Sequence, residues 1–236
     1  GSAMAGIHIG FMEIAQDFAD VVLVGGMEHM TRVPMGEPLL DRGAIMPNMT
    51  LFLDPKYQHW DMMTSMNMGL TAEKLFAQTD FTKEDMDQWG VRSHQRAAKA
   101  QEEGFFDGEI FPIEAEQADG STMVVDQDQS VRGDTTLEGI ASLKPAFKKD
   151  GVITAGISSP LNAAATSMVL MSKETAKKKG IKPLATIRSI GFAGVDPTIM
   201  GHGPVPASQK ALDKAGLKAT DIDYWEINEA FCIVAL

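Results

Sequence analysis

Apolar residues open the chain at steps of three and four: Met4, Ile7, Phe11, Ile14 and Phe18. That spacing predicts a helix. Ala3, Ala5, Gly6 and Gly10 on the same segment are small enough to let another backbone approach closely. The continuous run VVLVGG that follows predicts a buried strand. Residues 31–70 are rich in Met, Pro, Gly and Asp without a clean period, which predicts a long structured excursion. A short helix is expected over 71–78. Thr82 is a plausible N-cap, with Asp85 completing a weak capping box, for a longer helix that runs to about Glu103 and stops at Gly104. Met86, Trp89, Ala97 and Ala100 give that helix an apolar face, and Arg92, Arg96 and Lys99 give it charge.

The later part of the chain alternates. STMVV predicts a short strand, followed by a turn and a short helix. TSMVLMS (166–172) predicts another apolar strand, followed by a basic helix ending at Gly180. PLATIRSIGFAGV reads as a long strand with partial alternation. GPVPASQKALDKAG reads as a helix with Pro near its start and Gly216 at its end. YWEI reads as a strand, and EAFCIVAL begins a further helix. Strands alternating with helices imply α/β layering, interrupted by a subdomain inserted at about 31–150.

Composition narrows the function classes. The 236 residues can form one large domain or two smaller ones, with 44% hydrophobic and 22% charged residues, as in a soluble globular protein. A net charge of −11 argues against nucleic-acid binding, although a local basic cluster can still hold an anionic ligand. The single cysteine excludes an internal disulfide and a cysteine-based metal cluster, and fits a reducing compartment weakly. The five histidines lack metal-ligand spacing, so no metal site is expected. No apolar run reaches the roughly 18 residues of a membrane span. GG after the first strand lacks the rest of a dinucleotide fingerprint.

Taken alone, the polar candidates have plain readings. Asn228, between a strand and a helix, reads as an N-cap, and Arg132 in SVRGDTT as a solvated loop arginine. Phe147 reads as core, Ser159 as a turn residue before Pro160, and Met68 and Met200 as core filler. Cys232 has Glu226 and Glu229 near it in sequence and no cation or histidine, so it reads as a small buried hydrophobe.

Six stretches in order change that picture: VVLVGGMEHMTRVPM, MNMGLTAEKL, TLEGIASLKPAF, GVITAGISSPLNAAAT, DPTIMGHGPVPASQKAL and WEINEAF. Together they resemble the thiolase family of acetyl-CoA acyltransferases, with the 3-ketoacyl-CoA thiolases nearest. The resemblance covers the whole chain. It implies a layered αβαβα fold with an N-terminal thiolase domain over 1–180, a loop subdomain inserted at about 31–150, and a C-terminal domain over 181–236, both domains partial. The implied activity is acyl transfer between coenzyme A thioesters by ping-pong thiolysis of a 3-ketoacyl-CoA or the reverse Claisen condensation. Coenzyme A is then a substrate, and no cofactor is needed. The implied partners are acyl-CoA, CoA and further copies of the chain in a homodimer or homotetramer, with no nucleic acid and no membrane span. The expected location is cytoplasmic, with organelle targeting left open because the native N-terminus would be missing.

The resemblance also assigns roles. Asn228 becomes catalytic, holding a water that helps form an oxyanion hole. Arg132 stacks on adenine, Phe147 and Ser159 touch the pantetheine arm, and Met68, Met200 and Phe231 lie near the acyl pocket or the turn beside it. His202 in GHGP and His29 are not expected to be catalytic. Asn67 stands where some short-chain members carry a histidine. Ala163 and Ala164 replace an Asp-Gly pair usual in the family. The nucleophilic cysteine is expected immediately before Gly1, and the Gly-His-Pro histidine and second cysteine beyond Leu236, so this chain alone is expected to be inactive. The alternative is a non-catalytic CoA-binding or oligomerisation module; a ketosynthase-type enzyme is disfavoured by the long insertion.

Overall fold

The computed structural model describes residues 2–30 and 48–236. Residues 31–47 of the predicted excursion lie outside the described residues. In chain order the principal elements are α1 (Ser2–Ala15), β1 (Val21–His29), α2 (Met68–Phe76), α3 (Lys83–Glu102), β2 (Ile113–Glu116), β3 (Thr122–Val125), α4 (Leu137–Ala141), β4 (Ala163–Met171), α5 (Lys173–Lys179), α6 (Pro204–Ala215) and α7 (Cys232–Ala235). They belong to two compact bodies.

The first body comprises the residues up to 58 with 161–195 and 203–225. β1 and β4 pair antiparallel, with Val21 opposite Met171 and Leu23 opposite Val169. α1 packs on this ribbon along its small residues, with Ile7, Phe11 and Ile14 of the apolar stripe half-buried. A Cβ on Gly10 would meet Leu170, Val24 and Val22 at 3.1–3.2 Å, whereas Met4 and Phe18 are exposed. VVLVGG is therefore less buried than expected. Alternation turns Val22 and Val24 toward α1 and leaves Leu23 and Met27 on the face α1 does not cover, 72% and 81% exposed. PLATIRSIGFAGV is not a strand. It runs along α6, where Lys214 Nζ donates to the Ile190 carbonyl and Lys210 Nζ to the Phe192 carbonyl, both at 3.0 Å. Side chains of α6 thus take carbonyls that a neighbouring strand would otherwise use. Tyr224–Ile227 likewise lacks a ladder partner among the described residues. α5 and α6 end as expected, on Gly180 (φ 65°) and Gly216 (φ 68°).

The second body comprises 59–160, 196–202 and 226–236. Its core gathers Ala72, Leu75, Met86, Ile140, Ile153, Ile157, Cys232 and Ile233. α3 is its longest element and starts with the anticipated capping box: the Thr82 hydroxyl accepts from the Asp85 amide at 3.1 Å, and Asp85 accepts from the Thr82 amide at 2.7 Å. Gly90 lets α3 approach the 155–157 turn and α4, since a Cβ there would lie 2.9 Å from the Gly156 carbonyl. Glu73 on α2 accepts from the Val152 and Ile153 amides at 2.8 and 2.9 Å, fixing the strand-like approach to that turn. β2 and β3 form a separate antiparallel hairpin closed at Gly120 (φ 82°). No helix among the described residues is long and apolar enough to cross a membrane.

Met86 is fully buried in this core. Met86→Ala is expected to lower unfolding free energy by about 2–5 kcal/mol in denaturant titration; a loss well below 1 kcal/mol would contradict this packing.

Candidate active site

The residues singled out from the sequence as site candidates, Asn228, Arg132, Phe147, Ser159, Met68, Met200 and Phe231, all fall in the second body. The arrangement begins with the segment 226–231, which has no strand partner on the Asn228 side. Glu229 anchors it. One carboxylate oxygen accepts from Trp89 Nε1 at 2.7 Å, and the other accepts from the Ser93 hydroxyl. Trp89 and Ser93 stand one turn apart on α3, so they present both donors to the same carboxylate. Arg92 lies over the Trp89 ring at 3.8 Å, a cation–π contact that holds the indole.

Beyond Glu229 the segment is tied by its backbone. The Ser159 amide donates to the Ala230 carbonyl at 2.9 Å, and Ser158 bridges Phe231 in antiparallel register. Phe231 meets Phe147 edge-to-face with centroids 5.9 Å apart. Phe147 lies flat against Gly69: a Cβ there would fall 2.0 Å from its Cγ. Gly69 follows Met68 at the start of α2, where Asn67 is the N-cap and accepts from the Leu70 amide at 3.1 Å. Asn67 therefore spends its side chain on capping. Met200 sits on the 3-10 turn Pro197–His202, which packs against α2 and α7; a Cβ on neighbouring Gly201 would press on Leu75 and Val234. Asp196 caps that turn. It accepts from the Thr198 amide and hydroxyl at 2.9 and 2.8 Å, and these bonds hold its carboxyl below the usual carboxylate range.

Asn228 itself is exposed, and its side chain has no protein hydrogen-bond partner among the described residues. It is not a helix cap. α7 begins at Cys232, and its N-cap position is Phe231. The plain N-cap reading of Asn228 therefore fails on geometry, which leaves an exposed amide not used as a cap. Arg132 is exposed on a turn braced by α3. Its amide donates to His94 Nδ1 at 3.3 Å, and Gln95 Nε2 donates to the Thr135 carbonyl at 3.4 Å. Arg132, Ser159, Met68, Met200 and Phe147 all reach solvent, as ligand contacts must.

Cys232 is buried in the core. Burial first, then the negative charges of Glu229 and Asp87, push its thiol up to about 12, against a smaller pull from Lys83. A thiol in that state is not a nucleophile near neutral pH. His202 is exposed at the end of the Pro197–His202 turn. No cluster of His, Cys, Asp or Glu among the described residues could hold a metal ion. A shallow groove of about 510 Å³ runs along the outer face of α3 beside Arg92, Arg96, Lys99 and Leu137, but none of the predicted site residues lines it. Trp89 and Ser93 escaped the sequence reading as site residues. Their i, i+4 spacing was visible, but the carboxylate they bind lies about 140 residues away.

Residues 1–174 match the model of the thiolase N-terminal domain and residues 181–236 that of the thiolase C-terminal domain. A 3-ketoacyl-CoA thiolase of Marinobacter nauticus is 46% identical over 98% of this chain and 56% of its own length. A 3-ketoacyl-CoA thiolase of Stutzerimonas stutzeri is 45% identical over 100% of this chain and 58% of its own. An acetyl-CoA acetyltransferase structure from Syntrophomonas wolfei superposes with a TM-score of 0.82 at 34% identity, covering 99% of this chain and 59% of that one. The chain thus spans a little over half the length of the curated relatives it matches.

Three outcomes follow from these contacts. In the folded protein at about pH 8, Cys232 is expected to resist iodoacetamide and to be alkylated readily once urea unfolds it; equal rates would contradict its burial. Because the unfolded thiol ionises near 9.0 while the folded one keeps its proton to about 12, the unfolded chain binds fewer protons in between, so stability falls as pH rises through that window. Gly69→Ala, which drives a methyl into Phe147, is expected to cost about 1–3 kcal/mol in denaturant unfolding; a neutral change would show that the ring is free to move.

Proposed function

The chain belongs to the thiolase family, and we propose that the protein carrying it transfers acyl groups between coenzyme A thioesters, by thiolysis of a 3-ketoacyl-CoA or the reverse condensation. In the thiolytic direction a thiolate attacks the 3-keto carbon and the C2–C3 bond breaks. The departing acetyl-CoA carbanion takes a proton, and the sulfur of CoA then displaces the acyl group from the enzyme thioester. Cys232 is the only cysteine, and it is buried and protonated, so this chemistry takes its thiolate from outside these 236 residues.

The observation that carries the reading is Asn228: an exposed amide, neither a cap nor bonded to protein among the described residues, three residues before the phenylalanine that meets Phe147. In our reading Asn228 holds a water against the developing oxyanion. Phe147, Phe231 and Ser159 take the pantetheine arm, Met68 and Met200 the acyl end, and Arg132 stacks on adenine. Coenzyme A is the substrate and no cofactor is assigned. We further propose a domain division near residue 180, which the two family matches support, assembly as a homodimer or homotetramer, and a cytoplasmic setting. Because Cys232 supplies no thiolate, the 236 residues by themselves are expected to bind CoA without turning it over.

In the protein assembled with its thiolate, Asn228→Ala is expected to lower kcat for acetoacetyl-CoA thiolysis by about 10²–10³-fold. A kcat within about twofold of wild type, in a folded variant, would remove Asn228 from the chemistry.

A further inference from the structure

We propose that Trp89 and Ser93 are positioning residues for acyl transfer: they hold the Glu229 carboxylate, and through it set where the Asn228 amide stands. The inference rests on the role proposed above for Asn228. Glu229 follows Asn228 directly, and its carboxylate is the side-chain tie nearest in sequence to the amide among the described residues. Adjacent Cα atoms are about 3.8 Å apart, and a swing of Glu229 carries Asn228 with it. The ties that follow, Ser159 to Ala230 and the Ser158–Phe231 bridge, fix the downstream end only.

The tether is built for direction as well as attachment. The indole N–H and the hydroxyl come from one helix face, one to each carboxylate oxygen, so the carboxylate plane cannot rotate without losing one of them. The donors themselves are held. α3 is capped at Thr82 and clamped to the 155–157 turn at Gly90, and Arg92 covers the indole. An oxyanion donor needs this kind of rigidity, because a displacement of about 1 Å can cost on the order of 10²-fold in rate.

The test uses the protein with its thiolate in place and acetoacetyl-CoA and CoA as substrates. Trp89→Phe and Ser93→Ala each remove one donor while keeping most of the shape, and Glu229→Gln disturbs both bonds. Each is expected to lower kcat by about 10–100-fold while the KM for CoA stays within about twofold. Ser93→Thr keeps the hydroxyl and is expected to return kcat to within about threefold of wild type. The Trp89→Phe/Ser93→Ala double variant should be no slower than Glu229→Gln, because all three act through one carboxylate. If Glu229→Gln does not fold, the two donor variants still decide the matter. Folded variants with wild-type kcat, while Asn228→Ala is inactive, would overturn this proposal alone. An Asn228→Ala protein with full activity would overturn the reading beneath it as well.

Discussion

The carboxylate of Glu229 is the constraint on which the site depends. Among the described residues, 226–231 belong to no strand, and only Phe231 makes a bridge, to Ser158. Hydrogen bonds to a charged acceptor contribute about 1.5–3 kcal/mol each, more than neutral ones. Two of them, aimed from one helix, tie the segment down at Glu229. Burial chiefly keeps Cys232 protonated, and the same carboxylate, with Asp87, adds negative charge beside it. The stretch that carries the free amide therefore also disarms the thiol four residues later.

α3 links the two ends of the proposed substrate. Its Trp89–Ser93 face fixes the Asn228 turn, and its His94–Gln95 edge braces the turn that carries Arg132. These residues lie within six positions of one another, about 9 Å of helix rise, so one rigid stretch of α3 braces both turns. Its own rigidity comes from the capping box, the close approach at Gly90 and the buried Met86. α2 plays the matching part on the apolar side, with Gly69 receiving Phe147 and Glu73 pinning the approach to the Ser158–Ser159 turn.

Helices were legible in the sequence wherever local chemistry specifies them. Thr82 with Asp85, Gly180 and Gly216 punctuated α3, α5 and α6 correctly because caps and left-handed termini are encoded within a few residues. Strands were less legible. PLATIRSIGFAGV has strand-like alternation, but a strand exists only with a partner, and lysines of α6 take its carbonyls instead. At α1 the helical spacing and the small residues that let the ribbon approach were both legible. Within the candidate site, the packing of Cys232 was legible, since a lone cysteine flanked by glutamates reads as a small hydrophobe and the thiol is buried. Trp89 and Ser93 were not, since their function is a contact about 140 residues distant that no local pattern encodes.

The most direct test of this account is a crystal structure of the protein, complete with its thiolate, in complex with acetyl-CoA. The thioester carbonyl oxygen is expected within about 3.2 Å of a water held by the Asn228 amide, with pantetheine along Phe147 and Phe231 and adenine on Arg132. Coenzyme A bound away from these residues, or an Asn228 amide turned into protein contacts and out of reach of the thioester, would contradict it.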